Sequence, residues 1–184
     1  MIKALRTATA TLATAACTLA LLVLGPAGTA SAGVLDVTCT APSSQNDTFT
    51  PPLTLAPQNV TVGIKAQYGP CVSLSNPALT SGSTDVTALV PGLSCLDLLK
   101  SGALTFTILW NTGQTSTISS NYTVTIAGAA LVVTRTGTVT SGLFAGSAVL
   151  QVITGPAIDV LLCTAGLGTV SSTYSVVTLE ITSL

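Results

Sequence analysis

Along most of this chain apolar and polar residues alternate with a period of two, the mark of strands with one buried face. Val60, Val62, Ile64, Ala66 and Tyr68 fall on one side of such a run, against Thr61, Gly63, Lys65 and Gln67 on the other. Leu104, Phe106, Ile108 and Trp110 repeat it against Thr105 and Thr107. After Asn111-Thr112-Gly113 it resumes over 115–126, with Ile118, Tyr122, Val124 and Ile126 inward. Two alternating runs around an Asn-x-Gly turn predict a β-hairpin. Further strands are predicted at 34–40, 83–90, 131–140, 147–154 and 169–181, with bulges where the alternation shifts, near Gly137 and at Val176-Val177. The stretch 42–57 carries Pro42, Pro51, Pro52 and Pro57 and reads as an edge segment or loop. One short helix is predicted near residues 94–101, capped by Ser94, with Asp97 three residues on and Gly102 closing it. Segment 158–163 fits a strand or a helical turn. Short strands at this spacing predict an all-β fold, and specifically an antiparallel β-sandwich. It is Ig-like in architecture only, because the Cys…Trp…Cys spacing of an antibody domain is absent.

Residues 1–32 break the alternation. Met1-Ile2-Lys3-Ala4-Leu5-Arg6 is a basic start, an apolar run follows over 8–24, and Gly25-Pro26 ends it. Ala30-Ser31-Ala32 then supplies small residues for cleavage between Ala32 and Gly33. The segment reads as a cleaved signal peptide, leaving 33–184 as a single secreted domain with no membrane attachment after cleavage. Cys17 loosely matches a lipoprotein box, but the apolar run continues past it to Leu24. Export places the domain where disulfides persist. Cys39, Cys71, Cys95 and Cys163 then read as two bridges with three pairings open, and strand placement favours Cys39–Cys71 and Cys95–Cys163. No Cys-x-x-Cys occurs and there is no histidine, so the cysteines do not suggest a metal site.

Charge changes the picture further. Charged residues are 6% of the chain, against roughly 25% in ordinary soluble proteins. Beyond Gly33 the cations are Lys65, Lys100 and Arg135, too few to neutralise a run of phosphates or to dock on anionic lipid. Hydrophobic content of 48% nevertheless argues for a packed core rather than disorder. Without histidine, Ser-His-Asp and Cys-His catalysis lose their base, and histidine-ligated metal centres lose their ligands. A glycosidase would need two carboxylates across a cleft. Asp97 reads as a helix-start residue, Asp47 and Asp85 as loop or turn residues, and nothing in the sequence makes Asp159 and Glu180 converge. The expectation is a non-enzyme with no catalytic residue, cofactor or metal.

Two surface chemistries remain. Trp110 could stack on a sugar ring, but its parity with Leu104, Phe106 and Ile108 sends it inward. Outward threonine ladders, above all Thr134, Thr136, Thr138 and Thr140, could meet an ordered neutral surface. Threonine is also simply the polar residue best suited to strands.

Tyr68-Gly69-Pro70-Cys71-Val72, Ser94-Cys95-Leu96-Asp97-Leu98-Leu99, Trp110-Asn111-Thr112-Gly113-Gln114-Thr115-Ser116 and Gly137-Thr138-Val139-Thr140-Ser141-Gly142 resemble the punctuation of a family of small secreted actinobacterial proteins. The resemblance implies a β-rich, disulfide-containing domain and lends no active-site residues. On this basis the leading expectation is an extracellular contact module, adhesive or wall-associated. Its partners would be neutral polysaccharide, the cell wall or copies of itself joined through exposed strand edges. The alternative is a soluble small-molecule carrier, which needs an apolar pocket, or an enzyme inhibitor using a rigid loop at 73–83 or 42–52.

Overall fold

The computed structural model describes residues 35–183. The predicted signal peptide, its expected cleavage between Ala32 and Gly33, and Cys17 lie outside them. Ten strands form one antiparallel system: β1 (Leu35–Cys39), β2 (Ser44–Leu53), β3 (Gln58–Tyr68), β4 (Cys71–Val72), β5 (Gly82–Leu93), β6 (Gly102–Trp110), β7 (Thr115–Ala127), β8 (Ala130–Gly142), β9 (Ala148–Pro156) and β10 (Val170–Thr182). A 3-10 turn (Cys95–Leu99) links β5 to β6, and a short helix α1 (Ile158–Thr164) links β9 to β10.

The sheet is a closed barrel and not a sandwich. Its order runs β2-β3-β5-β6-β7-β8-β9-β10, and β10 pairs back onto β2, closing eight strands, with β1 and β4 outside the ring. Closure depends on two elements. β10 has partners along both edges: β9 on one side, and on the other β2 over its first half and β1 over its second. The stretch expected as an edge or loop is largely β2, which pairs with both β3 and β10. Its prolines explain the misleading appearance. The β2–β10 ladder skips from Leu53 to Thr48, so Pro51 and Pro52 fall where no ladder donor is required. A sandwich would split these strands between two open sheets, whereas here each of the eight ring strands has a paired neighbour on both sides.

The local pattern also needs four corrections. In β8 the inward series Leu131, Val133, Arg135, Gly137, Val139 runs without a shift, and the extra residue is Thr140, lying between the partners of Thr117 and Ile118. Gly137 holds its place because a Cβ there would strike the Ser119 carbonyl of β7. In β10 the irregularity falls between Val170 and Ser172 and not at Val176-Val177. Ile126, expected inward, is exposed. The predicted helix at 94–101 is only a 3-10 turn, held by Asp97: its Oδ2 accepts from the Ser94 N–H (2.8 Å) and hydroxyl (2.7 Å). The α-helix is instead α1, where Ile158–Cys163 had been ambiguous.

The buried residues divide into two clusters. One fills the barrel end where β6 meets β7, with Trp110, Ile108, Ile118, Val139, Val149 and Leu179. Trp110 is 1% exposed, donates from Nε1 to Ser116 Oγ (2.8 Å) and meets Phe144 edge-on at 6.2 Å. The other cluster, at the opposite end, joins Phe49, Leu53 and Val60 to Val160 and Val170 around Cys95 and Cys163. The cysteines pair as Cys39–Cys71, tying β1 to β4, and Cys95–Cys163, tying the 3-10 turn to α1.

Candidate functional site

Between the two clusters the wall opens. β5 and β6 are neighbours, yet they pair only at Gly82↔Trp110 and Ser83↔Leu109. Gly82 allows that one closure, since a Cβ there would lie 2.6 Å from the Trp110 ring. Further along, the strands diverge toward the 3-10 turn that joins them. The exposure of β5 records the divergence. Thr84, Val86 and Ala88 stand opposite Ala66, Ile64 and Val62 and so share their inward side. Thr84 is buried, but Val86 is 44% exposed and Ala88 is exposed as well. Inward-facing side chains that reach solvent mark an unsealed seam.

Two adjoining cavities lie behind it. The larger, about 400 Å³, is walled chiefly by Phe49, Val62, Leu93, Leu98, Val124 and Val133. The smaller, about 170 Å³, is walled by Gln45, Tyr68, Thr84 and Phe106 among others. Ile64, Leu104 and Arg135 face both. An eight-stranded barrel is just wide enough for its side chains to fill it or for it to hold one small ligand. Trp110 and Phe144 fill the other end, whereas here the space between the rings of Phe49, Phe106 and Tyr122 is bordered by valines, Ala103 and Thr84.

A polar layer crosses this apolar space. Arg135 is 9% exposed. Its Nη1 donates to Gln151 Oε1 (3.0 Å), Gln151 Nε2 donates to the Tyr68 hydroxyl (3.0 Å), and the guanidinium lies 5.5 Å from the centre of the Phe106 ring. Across the barrel, Asp47 accepts from Gln45 Nε2 at both oxygens (2.9 and 3.0 Å) and from Thr173 Oγ1 at 3.4 Å. Burial pushes the Asp47 carboxyl above its ordinary range, opposed by the Gln45 hydrogen bonds, the Arg135 charge and Thr173. Burial lowers the Arg135 pKa and raises that of Tyr68. Asp47 and Arg135 both face the larger cavity. Among the described residues the ion pairs are Lys65–Asp85 and Lys100–Asp97, so these two opposite charges share a chamber without touching. At its rim, Asp97 is held down to about 2 by Lys100 and by Ser94.

The sequence-derived candidates fall mostly elsewhere. Trp110 is core. Thr136, Thr138 and Thr140 lie on the outer wall, with Thr134 partly covered beside them. There β6, β7 and β8 align Thr105, Ser119 and Thr138 in one row and Thr107, Thr117 and Ser141 in the next. Thr107 and Thr117 are hydrogen-bonded across the strands at 3.1 Å. Asp85 pairs with Lys65 outside the barrel, Asp159 sits in the first turn of α1, and Glu180 is exposed. The 73–83 loop is pinned by Asn111, whose Oδ1 accepts from the Thr80 and Ser81 N–H groups while Nδ2 donates to the Ala78 carbonyl. The other proposed inhibitory loop, 42–52, is mostly strand β2.

Sequence reasoning missed the interior polar set of Gln45, Asp47, Arg135 and Gln151. One signal was available: Arg135 keeps parity with Leu131, Val133 and Val139, which places a cation on an inward face. Among the described residues, no group of three or more metal-ligating side chains comes together and no helix is long and apolar enough to cross a membrane. What the arrangement can do is hold a mostly apolar body with one polar end. Fold and cavity together define a closed antiparallel β-barrel with a side opening onto an inner chamber. No family model matches the sequence, and no match is found among curated proteins or solved structures.

Proposed function

We propose that this protein is an exported carrier that holds one small, mainly apolar molecule inside its barrel. The observation that carries this reading is the cavity of about 400 Å³ behind the β5–β6 seam, within the roughly 300–1,000 Å³ range of small-molecule sites. Two disulfides suit a carrier that works outside the cell. Ligand entry needs no unfolding, because the seam already breaks the wall. Titration with an apolar fluorescent dye tests the reading. One dye per protein is expected, with weaker binding when Val133→Phe fills the chamber. Absence of dye binding, or binding that Val133→Phe leaves unchanged, would sink it.

A contact module is the second reading, favoured by the hydroxyl rows on the outer wall of β6, β7 and β8. Neutral polysaccharide or cell wall is its partner. Self-association through strand edges is less well supported, because the eight barrel strands close on one another. Pull-down on insoluble polysaccharide, compared between the protein and Thr136→Lys/Thr138→Lys, tests it. Retention unaffected by the two lysines would count against it.

A further inference from the structure

Among the described residues, three buried side-chain atoms lack a hydrogen-bond partner: Thr38 Oγ1, Gln45 Oε1 and Arg135 Nε. Such atoms are rare in folded proteins, and each calls for an explanation. Two of the three belong to residues that line the same inner cavity of about 170 Å³. Both are held there by other bonds. Asp47 takes both hydrogen bonds from Gln45 Nε2, and a carboxylate only accepts, so the amide is oriented with Oε1 turned from Asp47. Arg135 is anchored through Nη1 to Gln151 and stacked near Phe106, which leaves Nε–H uncommitted.

We propose that the carried molecule has an uncharged amide-type head, whose carbonyl accepts from Arg135 Nε and whose N–H donates to Gln45 Oε1. This rests on the carrier reading and adds the chemistry of the ligand. One orphan is a donor and the other an acceptor, so the head must offer both functions on adjacent atoms, as an amide does. A carboxylate would turn a negative oxygen toward Gln45 Oε1 and add a second anion beside Asp47. An ammonium would place a cation beside Arg135. The chamber already holds two charges of each sign, Asp47 and Asp97 against Arg135 and Lys100, so a neutral head leaves it balanced. The apolar body then occupies the larger cavity against Phe49, Val62, Val124 and Val133. At roughly 30 Å³ for each water-sized group, that space takes on the order of ten to fifteen non-hydrogen atoms.

The test is competition against the apolar dye at neutral pH with octanamide, octanoate and octylamine, which share one tail. Octanamide should displace the dye at a concentration at least about tenfold lower than the other two. It should also shift the nitrogen-15 signals of the Gln45 side-chain amide and the Arg135 Nε–H. In the Gln45→Leu/Arg135→Met variant the dye should still bind while the amide preference falls below about threefold. Equal displacement by all three compounds, tighter octanoate, or a preference that survives in the variant would overturn the amide assignment and leave the carrier intact. If neither the dye nor any octyl compound binds the unmodified protein, the carrier reading itself fails. A variant that binds no dye is replaced by Gln45→Met alone, which is expected to reduce the amide preference and whose full retention of it overturns the assignment.

Discussion

The two halves of the barrel interior are built on opposite rules. At the β6–β7 end, Trp110, Ile108 and Ile118 are at most 1% exposed, and the single polar contact of the tryptophan is satisfied by Ser116. In the middle and toward α1, the wall is unsealed, and Asp47 and Arg135 face one cavity without an ion pair. The strands are the same and run through both regions. What separates them is whether β5 and β6 stay paired, and that hinges on Gly82 fitting beneath Trp110. Dense packing supplies stability at one end, and its relaxation elsewhere leaves space that can serve binding.

The contrast can be broken most sharply at Trp110. Trp110→Ala should destabilise the protein by about 3–5 kcal/mol, the usual loss for a large buried ring, as read from urea denaturation. A loss under about 1 kcal/mol would mean that the packed end does not dominate stability. Removal of the Cys95–Cys163 bridge as the double serine variant comes next. With the cysteines 68 positions apart in the sequence, chain entropy predicts a loss of about 4 kcal/mol. The same variant should also loosen dye binding, because the bridge holds the turn that carries Leu98 at the cavity rim.

A matched pair of enlargements sharpens the comparison. Val139→Leu, in the packed cluster, should cost about 1–3 kcal/mol through overpacking. Val133→Leu, two residues before Arg135 on the inward face of β8, projects toward the cavity and should shift stability by less than about 1 kcal/mol. Equal losses would show that the cavity is not available to side chains.

The smallest effects are electrostatic. In a carboxyl carbon-13 titration Asp47 should protonate above the ordinary carboxylate range and Asp97 near 2. Their signs in stability are opposite. The lowered Asp97 contributes stabilisation that is present above its unfolded pKa and is lost as pH falls toward 2. The raised Asp47 favours the folded state below its unfolded pKa, and that contribution is lost as pH rises through its folded value. Coincident titration of the two groups would refute the buried placement of Asp47.

Much of the local structure was legible because strand periodicity is a local property. Alternation around Asn111-Thr112-Gly113 located the β6–β7 hairpin and turned Trp110 inward. The same parity placed Lys65 outside, where it meets Asp85 at 3.5 Å. The polar layer was half legible. Arg135 sat on an inward position of a readable strand, but Asp47 lay in a stretch whose prolines disguised β2.

By itself, then, the sequence determined which residues form most strands and which side of each faces in, since those follow from a repeat of two residues and from turn chemistry. Only the tertiary structure decided that the sheet closes, that β5 and β6 part beyond Ser83, and that Gln45 and Arg135 face one chamber. Those outcomes depend on hydrogen bonds between strands far apart in the chain, Ser44 with Val176 for instance. A period-two pattern states which face a strand buries. It carries no information about which neighbour lies at its edge.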